Sequence, residues 1–285
     1  MQKFWRYRSY FFVGFLALFT SALWVAVFAA TPSGVLTVAV LDVGQGDSIY
    51  IESPTGQQLV IDGGPGSALL QALPAVMPMG DRSLDAIVET HPDADHISGF
   101  VDLLARYTVD IFIKPGIAKD TATARALERE VADKKISTYL ARRGMWLELG
   151  GGAELHILSP ERDVSRITKT NDGAVVAHLV YGKTTMLFMA DVSSAVENRL
   201  VLLDGTGLKS DILKVAHHGS KYSSASAFLS AVSPAAAVIS VGKNSYGHPT
   251  DQALSRLAAY SGEILRTDQA GTIVFVSDGE NFVRK

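Results

Sequence analysis

The stretch Leu84-Asp85-Ala86-Ile87-Val88-Glu89-Thr90-His91-Pro92-Asp93-Ala94-Asp95-His96 carries an apolar strand pattern straight into two imidazoles and two carboxylates within six residues. Groups so close together repel and desolvate one another unless a cation offsets the carboxylate charge, and a divalent metal ion does so. Alternation puts His91, Asp93 and Asp95 on one side of an extended loop, whereas Asp95 and His96, neighbours at a turn, point apart. Asp95 has a second reading, as the N-cap of a helix beginning near Ile97. A weaker echo follows downstream, where Ser210-Asp211-Ile212-Leu213-Lys214-Val215 leads into His217. In both places an apolar strand ends and a His-bearing loop begins, and at the carboxyl ends of strands a rigid sheet can aim loop side chains at a ligand.

The chain around these motifs has 285 residues, 47% hydrophobic and 19% charged, which excludes a disordered or fibrous protein. With 26 basic and 29 acidic side chains the formal charge is −3, so no global positive field holds a polyanion and any nucleic-acid contact has to be local. The absence of cysteine removes a disulfide framework, a thiolate metal site and a cysteine nucleophile together. Metal chemistry therefore falls to His, Asp and Glu.

A mean hydropathy of +0.19 is high for a soluble protein, and its source is confined to one end. No charged residue occurs between Arg8 and Asp42, and Tyr10 to Ala30 is broken only by Thr20 and Ser21. As a helix rising 1.5 Å per residue such a run crosses the roughly 30 Å hydrocarbon core of a bilayer. Lys3, Arg6 and Arg8 precede it, which keeps the N-terminus cytoplasmic and sends the body outward. Residues 1–33 are thus expected to form a single-pass anchor in the cell membrane and residues 34–285 a domain outside the cytoplasm. The alternative is a signal peptide cut near Val27-Phe28-Ala29 and a secreted product; the run exceeds the usual apolar core of about 7–15 residues.

After Thr31-Pro32-Ser33-Gly34 no linker or low-complexity tract interrupts the chain, and one domain is the simplest reading. The pattern predicts strands over 35–41, 48–52 and 58–61, a helix over 67–76, a strand over 84–89 and a helix over 97–107. Strands over 109–113, 147–149 and 155–158 and a helix over 122–132 follow. A hairpin over 174–181 and 185–189 turns at Gly182-Lys183. The remainder alternates helix and strand: helix 195–203, strand 212–216, helix 225–232, strand 235–240, helix 251–260 and a closing strand 272–276. Meander mixed with strand–helix alternation fits two sheets packed face to face with helices outside.

Further candidates stand at other strand ends. Asp191 follows the strand 185–189, with an alternative reading as a helix N-cap that Ser193 or Ser194 can also fill. Asp62, before Gly63-Gly64, is expected to orient a metal-binding loop, and Asp47, after Gly44-Gln45-Gly46, either does the same or closes a turn. Ser220, Lys221, Ser223 and Ser224 form a cationic, hydroxyl-rich loop in which Ser220 and Lys221 are candidates for holding a phosphate; a solvated loop is the alternative. His156 and His178 sit within strand patterns away from other ligands and read as packed or surface residues.

The run His91 to His96 resembles the HxHxDH signature of the metallo-β-lactamase superfamily, with Asp93 at the second His. Together with Leu41-Asp42-Val43-Gly44-Gln45-Gly46-Asp47, Met189-Ala190-Asp191, Ala216-His217-His218-Gly219-Ser220 and Tyr246-Gly247-His248-Pro249, it resembles the C-terminal domain of ComEC/Rec2-type competence proteins. The resemblance runs in order from about Val35 to the end, and the many-helix channel of that family has no counterpart in this sequence. It implies an α/β fold, a four-layer αββα sandwich, here preceded by one N-terminal transmembrane helix, and a hydrolase site with two divalent ions. By motif position His91 and Asp93 serve the first metal, Asp95 and His96 the second, and Asp191 bridges them. Asn171 stands where many relatives carry another metal His and becomes a candidate for substrate contact. Adjacent residues leaving a strand point to opposite sides. His217 is therefore expected as a ligand and His218 as a group behind it or an acid/base, while His248 completes the second metal or protonates the leaving group.

Asp95, His218 and His248 are the expected catalytic residues. The mixed donor set suits zinc or manganese, with Asp93 favouring manganese. Two metals can acidify a shared water and stabilise attacking and leaving oxygens at phosphorus, so a phosphodiesterase or nuclease acting on DNA during uptake is the leading expectation. An extracellular phosphoesterase acting on a small head group or surface polymer is one alternative. A non-catalytic metal-binding accessory of a separate DNA-uptake channel is the other.

Overall fold

The structure, a computed structural model, describes residues 2–30 and 33–285, with the side chains of residues 2–6, 9 and 25–30 outside the description. A first helix, α1 (Gln2–Ala30), precedes the sheets. The first sheet opens with β1 (Leu36–Val40), β2 (Ile49–Glu52) and β3 (Gln58–Ile61), followed by the short α2 (Ala68–Ala72). Strand β4 (Ser83–Val88), α3 (Ala94–Leu104), β5 (Thr108–Lys114), α4 (Ala122–Asp133) and β6 (Ser137–Leu140) continue it. The second sheet contains β7 (Trp146–Gly150), β8 (Ala153–Ser159), β9 (Val176–Tyr181) and β10 (Thr184–Phe188). After α5 (Ser194–Asp204) come β11 (Ile212–Lys214), α6 (Ser226–Val232), β12 (Ala236–Ile239), α7 (Asp251–Tyr260), β13 (Glu263–Arg266) and α8 (Thr267–Ala270). The chain then returns to the first sheet with β14 (Ile273–Ser277) and β15 (Phe282–Arg284).

The strand orders are β15-β14-β1-β2-β3-β4-β5-β6 and β13-β12-β11-β10-β9-β8-β7. Each sheet has an antiparallel half that passes into a parallel half, at β3/β4 in the first and at β10/β11 in the second. This is the two-half architecture implied by the sequence echo. Alternation along the strands explains the stacking. Val38, Val40, Ile49 and Ile51 meet Met186, Phe188 and Ile212 between the sheets. Ala39, Leu41 and Tyr50 face the other way, under Ile97, Phe100, Leu103 and Leu127 of α3 and α4. Leu187, Met189 and Leu213 lie under Leu200, Phe228, Leu229 and Leu257 of α5, α6 and α7. Strands buried on both faces read as continuous apolar runs. The four layers are helix, sheet, sheet, helix, as expected.

The expected single-pass anchor falls partly on residues outside the description. The side chains of residues 10–24 are described and exposed. Among the described residues no helix is long and apolar enough to cross a membrane. Three strands escape the sequence reading: β6, β13 and β15. All three lie at sheet edges, and β6 is exposed along its whole length, so neither alternation nor an apolar run marks them. The helix expected over 97–107 starts three residues earlier, at Ala94, so Asp95 lies inside its first turn and Asp93 takes the N-cap position.

Candidate metal centre

The site sits where the two sheets present the carboxyl ends of their first parallel strands. Asp62 follows β3, Thr90 and His91 follow β4, Asp191 follows β10, and His217 and His218 follow β11. Asp95 and His96 enter on the first turn of α3, which docks on the loop after β3. Gly63 N–H donates to His96 C=O at 2.6 Å and Gly99 N–H donates to Gly64 C=O at 3.0 Å. A Cβ built on Gly99 falls 1.9 Å from Gly63 O, so only glycine permits this approach of helix to loop.

Every buried imidazole at the centre has its Nδ1 fixed from behind. His96 Nδ1–H donates to Asp62 Oδ2 at 2.7 Å, and His218 Nδ1–H donates to Ser240 C=O at 2.9 Å. Thr90 Oγ1 donates to Asp62 Oδ2 at 2.6 Å, which leaves it to accept from His91 Nδ1–H at 3.0 Å. These acceptors take the Nδ1 protons, so that each ring, once its Nε2 is deprotonated, presents an inward lone pair. His91 Nε2, His96 Nε2, His218 Nε2 and Asp191 Oδ1 are all buried and have no hydrogen-bond partner. Three of these orphaned atoms, on His96, Asp191 and His218, belong to side chains that converge on one place, which is costly unless something binds them. Asp191 Oδ2 lies 3.4 Å from His96 Nε2 and 3.5 Å from His218 Nε2, and Asp95 Oδ2 lies 3.7 Å from His218 Nε2. Ligand atoms of Asp95, His96, Asp191 and His218 fall within 4.8 Å of one another. A nitrogen–oxygen donor set of this composition fits a divalent cation.

Electrostatics agree. Burial opposes charge on His218, but Asp191, Asp47 and Asp95 overcome it and push its pKa up to about 10. His96 is likewise raised, against burial, by Asp191 and Asp62. Asp191 is held well below the usual carboxylate range, against burial, by His218 and His96. Burial and the neighbouring His96 lower His91 to about 4. The centre thus carries protons where a cation would replace them.

The remaining expected residues are placed as follows. His217 and His218 both adopt left-handed backbone (φ 49° and 52°), so strand alternation does not apply and both rings turn toward Asp191. His218, expected behind the ligands, is a buried member of the quartet, and His217, expected as a ligand, is half-buried, with Nε2 3.8 Å from Asp191 Oδ2. His248 packs at the rim, 5.3 Å between ring centroids from His217, and is not in the quartet. Asp93 faces His91 Nε2 at 3.9 Å but accepts from Lys119 Nζ at 2.8 Å and from Thr170 Oγ1 at 2.7 Å.

Asp62 is fully buried and accepts from Thr90 N–H at 2.8 Å as well as from Thr90 Oγ1 and His96. Asp47 is held by Lys214 Nζ at 2.7 Å and lies 3.4 Å from His218 Nδ1, so of its two readings it stands behind a histidine rather than merely closing a turn. Ser220 is buried and its hydroxyl accepts from Tyr222 N–H. Lys221 is exposed over the Tyr222 ring. Asn171 is half-buried beside Thr170. His156 and His178 pair across β8 and β9, away from the site.

The sequence reading missed Thr90, Lys214, Ser240 and Lys119. Lys214 had a signal, a lone cation closing an otherwise apolar strand. Lys119, on a surface loop, had none.

The sequence profile of the metallo-beta-lactamase superfamily matches residues 41–243. ComE operon protein 3 of Bacillus subtilis (strain 168) is 30% identical over 259 residues, covering 84% of this chain and 32% of that protein. Competence protein ComA of Neisseria gonorrhoeae is 31% identical over 247 residues, covering 86% and 33%. The chain thus spans about a third of the length of these relatives. Igni18, a metallo hydrolase from the archaeon Ignicoccus hospitalis, has the same fold, with a TM-score of 0.56 at 14% identity over 84% of this chain and 98% of that one.

Proposed function

Because the chain belongs to the metallo-β-lactamase superfamily, we propose that it is a metal-dependent phosphodiesterase that cleaves DNA in a competence-type uptake or processing role. The observation that carries the chemistry is the convergence of Asp95, His96, Asp191 and His218, with buried, unpartnered atoms on the last three. What favours DNA over the small-head-group and non-catalytic readings is the likeness to a competence protein and a ComE operon protein. A divalent ion bound there, zinc or manganese, would supply Lewis acidity at a phosphoryl oxygen and acidify water.

The chain's own residues do the rest. His96, Asp191, His218 and Asp95 would hold the cation; Asp62 and Ser240 keep His96 and His218 in the ligating tautomer. Asp95, the most exposed of the quartet at 39%, faces incoming solvent and is placed to take a proton. His248 and His217 border the opening. Burial and His217 lower the His248 pKa, which favours its neutral form, an imidazole suited to exchanging a proton at the leaving oxygen. Lys221 supplies a nearby point charge for phosphate.

We assign α1 to anchoring, with the domain outside the cytoplasm. This rests on the basic flank and apolar run of the sequence and on exposed Phe11, Phe15 and Leu18. The test is cleavage of DNA and of a simple phosphodiester under several divalent ions. Cleavage that disappears in Asp95→Ala and Asp191→Ala proteins is expected. Unchanged cleavage in both places the chemistry elsewhere, and a phosphodiester turned over while DNA is ignored selects the small-head-group reading.

A further inference from the structure

We propose that Lys119 is a built-in cation at the first metal position, so that the two positions of the site load unequally and the first fills only when Lys119 leaves Asp93. This rests on the cation-binding reading above and concerns its regulation. Motif position gives His91 and Asp93 to the first ion, yet Asp93 Oδ1 already accepts two bonds, from Lys119 Nζ at 2.8 Å and Thr170 Oγ1 at 2.7 Å. His91 Nε2 lies 3.9 Å from that same oxygen, buried and without a hydrogen-bond partner. An ammonium and a divalent ion cannot share the oxygen without close like-charge contact. At the second position the situation differs. Among the described residues no Lys or Arg pairs with Asp95 or Asp191, whose salt-bridge neighbours are all histidines.

The geometry also allows release. Lys119 sits in the loop between β5 and α4, whose backbone is fastened by Arg142 Nη1 donating to Pro115 C=O at 2.7 Å and by Ala118 N–H donating to Ser165 C=O at 3.3 Å. The loop stays while the long side chain, 30% exposed, can swing to solvent. The pair thus acts as a counter-charge that keeps Asp93 satisfied until a second cation competes for it.

Equilibrium dialysis of purified protein against Mn2+, read by elemental analysis, tests this with wild type, Lys119→Met and Lys119→Arg. Wild type is expected to bind one equivalent tightly and a second at least about tenfold more weakly, a gap of about 1.4 kcal/mol. Lys119→Met is expected to tighten only the weak equivalent by about tenfold, and Lys119→Arg, which keeps the charge, to retain the wild-type pattern. Two equal equivalents in wild type, or no change in the weak one in Lys119→Met, overturns the proposal while leaving the cation site intact. No binding by any of the three overturns the cation site itself and the proposal with it.

Discussion

Replacing Asp62 by Asn isolates the role of orientation from that of ligation. Asp62 touches no other member of the centre except His96, through Nδ1 at 2.7 Å, and takes its other two bonds from Thr90. Its φ is +59°, a region Asn and Asp tolerate better than other residues, so Asp62→Asn keeps the backbone where Asp62→Ala adds strain. The new amide oxygen still accepts from Thr90 N–H, and the Thr90 hydroxyl can rotate to accept from the amide nitrogen. His96 has no such freedom. To accept from the amide its Nδ1 must lose the proton, which moves to Nε2, the atom 3.4 Å from Asp191 Oδ2, and a protonated Nε2 cannot ligate. Keeping the ligating tautomer instead leaves a buried Nδ1–H unpaired, at about 1–3 kcal/mol. Cation affinity should therefore fall roughly 10- to 100-fold, the range typical for loss of a ligand-orienting partner. Calorimetric titration with Mn2+, alongside a circular-dichroism melt to establish folding, measures it. A folded Asp62→Asn protein with wild-type affinity would refute the orienting role.

Other consequences follow from single contacts. Gly99→Ala places a Cβ into Gly63 O, prises α3 from the loop after β3, and should cost at least about 1–3 kcal/mol in denaturant unfolding together with cation affinity; loss of neither contradicts the docking described. Lys214→Met strands the buried Asp47 charge and should destabilise by about 3–5 kcal/mol, with part recovered in the Asp47→Asn, Lys214→Met double variant; an additive double variant would show that the two do not act as a pair. Burial raises Glu197 to about 7 from 4.5, against the Ser224 and Ala225 N–H groups that donate to it. The folded state then binds the proton more tightly than the unfolded, so this contribution is full below pH 4.5 and declines as pH rises through about 7, by on the order of 3 kcal/mol. Chemical denaturation of Glu197→Gln across that window should show a flatter profile than wild type, and parallel profiles would count against it.

How much of this was legible in the sequence depended on whether the signal was local. The strand 58–61 and the helix 251–260 agree with the structure at both ends, because apolar periodicity and turn residues bound them. Edge strands β6, β13 and β15 bury too little to leave a pattern. The ligand-bearing loops were legible because four donors crowd into His91–His96 and because other His and Asp residues close apolar strands. The placing of both the His217 and His218 rings toward Asp191 was not, since alternation presumes extended backbone and the chain there turns left-handed twice. Nor were the supports: Lys214 reaches Asp47 across 167 positions, and Lys119 reaches Asp93 across 26, pairings fixed only by the tertiary fold.

Anomalous diffraction at the absorption edge of manganese, from crystals grown with that ion, tests the central claim most directly. A peak within coordination distance of His96 Nε2, His218 Nε2, Asp191 and Asp95, lost in Asp191→Ala, is the predicted result. A peak bound elsewhere, or none between those four side chains, would contradict it.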